Sequence, residues 1–147
     1  MQRFHFHAEQ QISKPIEEVF CFYSNVHHLE ALTPPWLQFR VLTPAPVEIK
    51  KGVVIDCRLR LYGIPLRWQS EITNWSPPHR FVDVQLRGPY RLWVHIHTFE
   101  SKAETTRVCD DVEYAVWGGR WAQRWLVEPD LKRIFKFRHE QLARILG

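Results

Sequence analysis

The stretch RFVDVQLRGPYRLWVHIHTFE, Arg80 to Glu100, decides the fold. Gly88 and Pro89 punctuate two alternating runs, so it reads as two strands joined by the turn Arg87-Gly88-Pro89-Tyr90. On the second strand Leu92, Val94, Ile96 and Thr98 fall on one face, and Trp93, His95, His97 and Phe99 on the other. On the first, Phe81, Asp83 and Gln85 alternate with Val82, Val84 and Leu86. A three-residue turn would bring Asp83, Gln85, Trp93, His95 and His97 onto a common face. One face is aliphatic, and the other is aromatic with a few polar groups, as in the lining of a ligand cavity.

Working outward, residues 3 to 12 alternate, with Phe4, Phe6, Ala8 and Ile12 opposed to Arg3, His5, His7, Glu9 and Gln11, and predict a half-buried strand. Ser13 is an N-cap candidate, and Pro15, Glu17 and Glu18 suit a first helical turn. That helix turns Val19, Phe20 and Phe22 or Tyr23 inward. Asn25 can cap a second short helix through Leu29 and Leu32, which Thr33-Pro34-Pro35 stops. Strands are then expected over Leu37 to Val41, Val53 to Leu61, a run through Leu66, Trp68, Ser70 and Ile72 after a turn at Gly63-Ile64-Pro65, the opening hairpin, and Thr106 to Val116. Their spacing implies an antiparallel meander. From about Trp121 to Leu146 the pattern is helical: Leu131, Ile134, Phe135, Leu142, Ile145 and Leu146 fit a 3.6-residue stripe, with Lys132, Arg133, Lys136, His139, Glu140 and Arg144 on the wet side. Pro129 should break or kink this run near Val127 and Glu128.

With 147 residues the chain has the length of one domain, taken as 1–147, and can bury a core without metal or disulfide. Cys21, Cys57 and Cys109 have no metal-type spacing and are odd in number, which fits small apolar residues of a reducing cytosol. No apolar run approaches the roughly 18 residues of a membrane span, and the beginning MQRFHFHAEQ is no signal or transit sequence. A soluble, cytoplasmic protein is expected. The net charge of +4 is mild; the late basic residues Arg120, Arg124, Lys132, Arg133, Lys136, Arg138 and Arg144 read as the solvated face of a helix. No partner of nucleic-acid type is expected, because the basic helix lacks aromatics interleaved on an open strand face. Nothing identifies a protein partner.

Together these elements predict an α+β fold: about seven antiparallel strands wrapped around one long C-terminal helix, with two short helices after the first strand. One set of motifs runs through nearly the whole chain: Ser13-Lys14-Pro15 with Glu18-Val19-Phe20, then Leu32-Thr33-Pro34-Pro35-Trp36-Leu37, Gly63-Ile64-Pro65 with Trp68, and Pro77-Pro78 through Phe81-Val82-Asp83-Val84-Gln85. Gly88-Pro89-Tyr90, Trp93, His95, His97, Phe99-Glu100, Asp110, Val112 and Tyr114 complete it. On these residues the chain resembles the START-related, birch-pollen-allergen-like superfamily (SRPBCC), the helix-grip fold, and within it the bacterial ligand-binding proteins also seen fused to sugar-nucleotide epimerase-like domains. Trp117 stands where the pattern has proline, a departure at the start of the long helix. The resemblance implies a cavity between sheet and helix for a small hydrophobic or amphipathic molecule, without a bound cofactor.

His95-x-His97 is the sharpest chemical feature, since residues two apart on a strand point the same way. With Asp83 on one neighbouring strand and Asp110 and Tyr114 on the other, they could hold the polar end of a ligand, pass a proton, only satisfy one another, or face water. Expected ligand-binding residues are Trp36, Trp68, Asp83, Gln85, Trp93, His95, His97, Phe99, Asp110, Tyr114, Ile134 and Phe135. The alternative is a cyclase, dehydratase or hydrolase in which His95 or His97 is the general base and Asp83 or Asp110 orients it. No metal site is expected, because no third histidine is fixed. His5-x-His7 reads as solvent-facing. No Gly-x-Ser-x-Gly, activated cysteine or phosphate loop is present.

Overall fold

The computed structural model describes residues 1–147. Strand β1 (Phe4–Ile12) alternates as its sequence dictates, and α1 (Ile16–Tyr23) buries Ile16, Val19, Phe20 and Tyr23. The N-cap of α1 is Pro15 rather than Ser13. A cap side chain must reach an N–H two or three residues on, and Ser13 stands two residues too early; the Pro15 carbonyl instead accepts from Glu18 and Val19. Asn25 does cap the next turn, accepting from the His27 N–H at 3.0 Å, and the chain continues through a 3-10 turn (Val26–His28) into α2 (Leu29–Leu32). The strand expected over Leu37 to Val41 shrinks to β2 (Arg40–Val41), because Pro35–Leu37 forms a 3-10 turn closed by Gln38 at φ 46°.

The remaining strands, β3 (Val54–Leu61), β4 (Ile64–Ser76), β5 (Arg80–Arg87), β6 (Leu92–Lys102) and β7 (Thr105–Ala115), complete a seven-stranded antiparallel sheet ordered β1-β7-β6-β5-β4-β3-β2. The β3–β4 turn falls at Tyr62 and Gly63, both at positive φ, with Ile64 and Pro65 already in β4. Two register shifts between β4 and β5 mark bulges, one on each strand, which bend and twist a sheet enough to wrap a helix. Phe81 faces His97, Asp83 faces His95, and His97 in turn faces Asp110. The long sequence separation of these groups thus becomes adjacency on one concave face.

The last 28 residues before Gly147 follow one helical path: α3 (Gly119–Ala122), a π-helical segment (Gln123–Val127) and α4 (Glu128–Leu146). Pro129 does not break it. Proline lacks an N–H and its ring crowds the carbonyl four residues back; the widened π turn immediately before it accommodates both. Leu131, Phe135, Leu142 and Leu146 press onto the sheet, each worth roughly 1.5–3 kcal/mol of burial. Ile134 is half-buried, whereas Ile145 is exposed.

The interior divides into two apolar clusters. One gathers Phe20, Tyr23, Phe81, Phe99 and Ile72 under α1 and the end of α4. The other joins Trp93, Val112, Tyr114, Leu131 and Phe135 under the beginning of α4.

Candidate functional site

A buried polar group separates the two clusters. Asp110 is 1% exposed, His97 2% and His95 5%. His95 Nε2 lies 2.8 Å from Asp110 Oδ1 and His97 Nε2 2.7 Å from Asp83 Oδ2; an ionised carboxylate only accepts, so both imidazoles donate. His97 Nδ1 stands 3.4 Å from Asp110 Oδ1, placing His97 between the two acids. The imidazoles stack at 3.7 Å, and Phe81 stacks on the other side of His97 at 4.0 Å. This column is the alternate face of β6 together with a cross-strand neighbour on β5.

Helix α4 completes the group with Arg138, whose guanidinium lies 5.7 Å from the Tyr23 ring and 5.9 Å from that of Phe135. Burial alone would raise the Asp110 carboxyl, but the hydrogen bond from His95, the adjacent His97 and the charge of Arg138 hold it well below the usual carboxylate range. Asp83 is likewise lowered, against burial, by its bond from His97 and by nearby positive charge. The two histidines part company. Burial and the neighbouring His97 charge lower His95, whereas at His97 the two carboxylates outweigh burial and raise it. Burial drives the Tyr23 hydroxyl upward, so it stays neutral.

Several of these buried atoms lack a well-formed hydrogen bond: Asp110 Oδ2 has no partner, and Tyr23 Oη, His97 Nδ1 and Nε and one Nη of Arg138 have at best loose contacts with one another and with Asp110. Buried polar atoms are nearly always paired, so such a concentration is where water or another polar group would complete the hydrogen bonding. Adjacent to it, Trp68, Tyr90, Trp93 and Tyr114 meet at ring separations of 4.6–6.5 Å, forming an aromatic box under the beginning of the long helix. Gln123 donates to the Tyr114 hydroxyl at 3.1 Å, tying that box to the helix.

Most of the expected residues converge. Asp83, Trp93, His95, His97, Phe99, Asp110, Tyr114 and Phe135 face the interior, and Trp68 and Ile134 pack half-buried at its edge. Gln85 is committed elsewhere, with its amide donating to the Tyr90 carbonyl at 2.8 Å and accepting from the Tyr90 N–H at 3.2 Å to hold the turn. Trp36 is 53% exposed against Phe137, outside the group. Two open depressions of about 540 and 550 Å³ lie along β2–β4. Arg138, read from the sequence as a solvated cation, is the principal residue missed. Its spacing of seven from Leu131 and four from Leu142 sets it on the inward stripe. The ligand atoms of Asp83, His95 and His97 lie within 4.8 Å of one another, a set able to hold a divalent ion only if the His97–Asp83 bond opened. Cys57 is buried, with its thiol pushed up to about 12 by burial, and is chemically quiet.

A family model described as a domain of unknown function (DUF8410) matches residues 11–146. No curated protein sequence matches the chain. Similar solved structures include an aromatase/cyclase from Streptomyces sp. R1128 at TM-score 0.77 and 14% identity, covering 97% of this chain and 93% of that one. A ginseng major latex-like protein from Panax ginseng superposes at TM-score 0.72 and 12% identity, covering 98% and 97%. A nucleoside-diphosphate sugar epimerase from Corynebacterium glutamicum gives TM-score 0.69 and 23% identity over 95% of this chain but only 28% of its own length. The fold is the helix-grip fold that these structures share.

Proposed function

The chain belongs to the DUF8410 family, and on that premise we propose that it binds a small amphipathic molecule between its sheet and long helix. The observation that carries this reading is the set of incompletely bonded buried atoms on Tyr23, His97, Asp110 and Arg138 beside an aromatic box. The ligand's polar end would bond to Arg138 and Asp110, and its flat or apolar body would lie against Trp93 and Tyr90. Solved structures of the same fold include an aromatase/cyclase, in keeping with a small-molecule role. Native mass spectrometry of gently purified protein is the test. A retained small molecule is expected, and Arg138→Met, which keeps the aliphatic stem, should lower its occupancy about tenfold, in line with loss of a charge-assisted hydrogen bond. A wild-type chain that carries nothing, and whose tryptophan emission ignores fatty acids and planar aromatics alike, would remove the reading.

A second reading is an enzyme of the cyclase, dehydratase or hydrolase kind. It is favoured by two stacked imidazoles bonded to separate carboxylates and shifted in opposite directions, His95 lowered and His97 raised, the pattern of a base beside an acid. His95, oriented by Asp110, would be the base. Turnover of a bound ligand that disappears in His95→Gln while binding persists would select it over the carrier.

A further inference from the structure

Three of the seven tryptophans lie outside the core within nine residues. Trp117, Trp121 and Trp125 are 67%, 78% and 64% exposed, and Leu126 beside them is 54% exposed. Trp121 and Trp125 are four apart on one helical path and so share a face. Arg91 covers the Trp117 ring at 4.8 Å and Arg124 the Trp125 ring at 5.6 Å. A folded chain gains nothing by leaving such area in water.

The topology extends this patch. Strands β3, β5 and β7 run in one direction, so the β3–β4 turn, the β5–β6 turn and the beginning of the long helix all emerge at one end of the sheet. Of the chain's twelve exposed large apolar side chains seven lie here, Tyr62 and Ile64 among them, which makes the patch a property of the end rather than of one helix. Residues 58–67, 84–93 and 114–127 hold seven arginines and no Asp or Glu. Only Arg67 has an acidic partner, Asp56 at 3.7 Å. Arg40, Arg58 and Arg67 face one another directly across β2, β3 and β4, an arrangement that costs stability through like-charge repulsion. An open groove of about 540 Å³ runs between Arg58, Arg67 and Arg87.

We propose that this end of the molecule docks onto an anionic lipid surface, with Trp117, Trp121 and Trp125 at headgroup depth and the surrounding arginines on lipid phosphates. The chemistry is specific to that partner. Indole rings favour the membrane–water interface, and clustered cations without acids match an anionic leaflet. A nucleic acid would account for the arginines but leave Tyr62, Ile64 and Leu126 unexplained. The inference stands on exposed residues and does not depend on the ligand reading.

Flotation of the full chain with vesicles of phosphatidylcholine containing phosphatidylglycerol tests it. Binding is expected, with a blue shift of tryptophan emission, attenuation by salt, and little binding to phosphatidylcholine alone. Trp121→Ser with Trp125→Ser should weaken binding at least about tenfold, and Arg120→Ser or Arg124→Ser about fivefold each. An unchanged near-ultraviolet dichroism of buried aromatics would show the variants folded. Absence of binding to anionic vesicles, or equal binding by the double tryptophan variant, would overturn the proposal. A wild-type dimer dispersed by the same two substitutions, with no vesicle binding, would overturn it in favour of a second copy of the chain.

Discussion

Asp110 is the residue on which the interior electrostatics turn. Its carboxylate accepts from His95, stands beside His97 and compensates Arg138, all inside the fold. Asp110→Asn keeps the shape but removes the charge, so a buried guanidinium and imidazolium lose compensation. A loss of about 3–5 kcal/mol is expected, read from the denaturant midpoint. The pH dependence follows from the same group, in which Asp83, Asp110, His95 and His97 meet Tyr23 from α1 and Arg138 and His139 from α4. Asp83 and Asp110 have folded pKa values below their unfolded ones. Their contribution is therefore present above about pH 4 and is lost as pH falls through the folded values. His97, raised on folding, contributes fully below about pH 6.5 and less as pH climbs through its folded value; His95, lowered, does the opposite. Imidazole resonances followed by NMR should accordingly titrate on opposite sides of about 6.5. In Asp110→Asn that of His97 should fall.

At the scale of elements, the β5–β6 hairpin offers a coupled pair. The Gln85 amide makes both hydrogen bonds to Tyr90, and a Cβ on Gly88 would run into that side chain. Gly88→Ala should cost about 1–2 kcal/mol and Gln85→Ala a similar amount. In the double variant the penalties should fall short of additive, because alanine at 85 removes what the new methyl strikes; a double-mutant cycle of unfolding free energies reads this directly. Pro129→Ala should shift stability by less than about 1 kcal/mol, since the π turn already accommodates the ring. What could be read from the sequence divides along physical lines. The face of β6 followed from a period of two, the first short helix from its proline and acidic first turn, and the second from its Asn25 cap and the prolines that stop it. The site was legible where partners lay on strands with fixed alternation: Asp83, His95, His97 and Asp110. Arg138 was not, because charge argues for solvent and only the stripe through Leu131, Phe135 and Leu142 argues otherwise. Gln85 was misjudged for a related reason: alternation assigns a side chain to a face without saying that a nearby turn consumes its hydrogen bonds. The ends of β2 and α1 depended on a single left-handed residue, Gln38, and on the reach of a cap, neither of which leaves a periodic trace.

Over the whole molecule, the pairing of β1 with β7 joins residues about a hundred positions apart, from Phe4 with Tyr114 to Ile12 with Thr106. Thr106 further ties the sheet to Lys14, donating to its carbonyl at 2.7 Å. During synthesis β1 therefore has no neighbour until β7 has been made, and α4 arrives later still to cover the concave face. The nascent chain should stay protease-sensitive until β7 and then α4 clear the ribosome, and gain resistance in one late step rather than piecemeal, as expected when distant pairings dominate. Pulsed proteolysis of stalled chains of increasing length would record that step. For most of the synthesis of this domain, β1 is a half-finished edge, waiting for a strand about a hundred residues downstream to be translated.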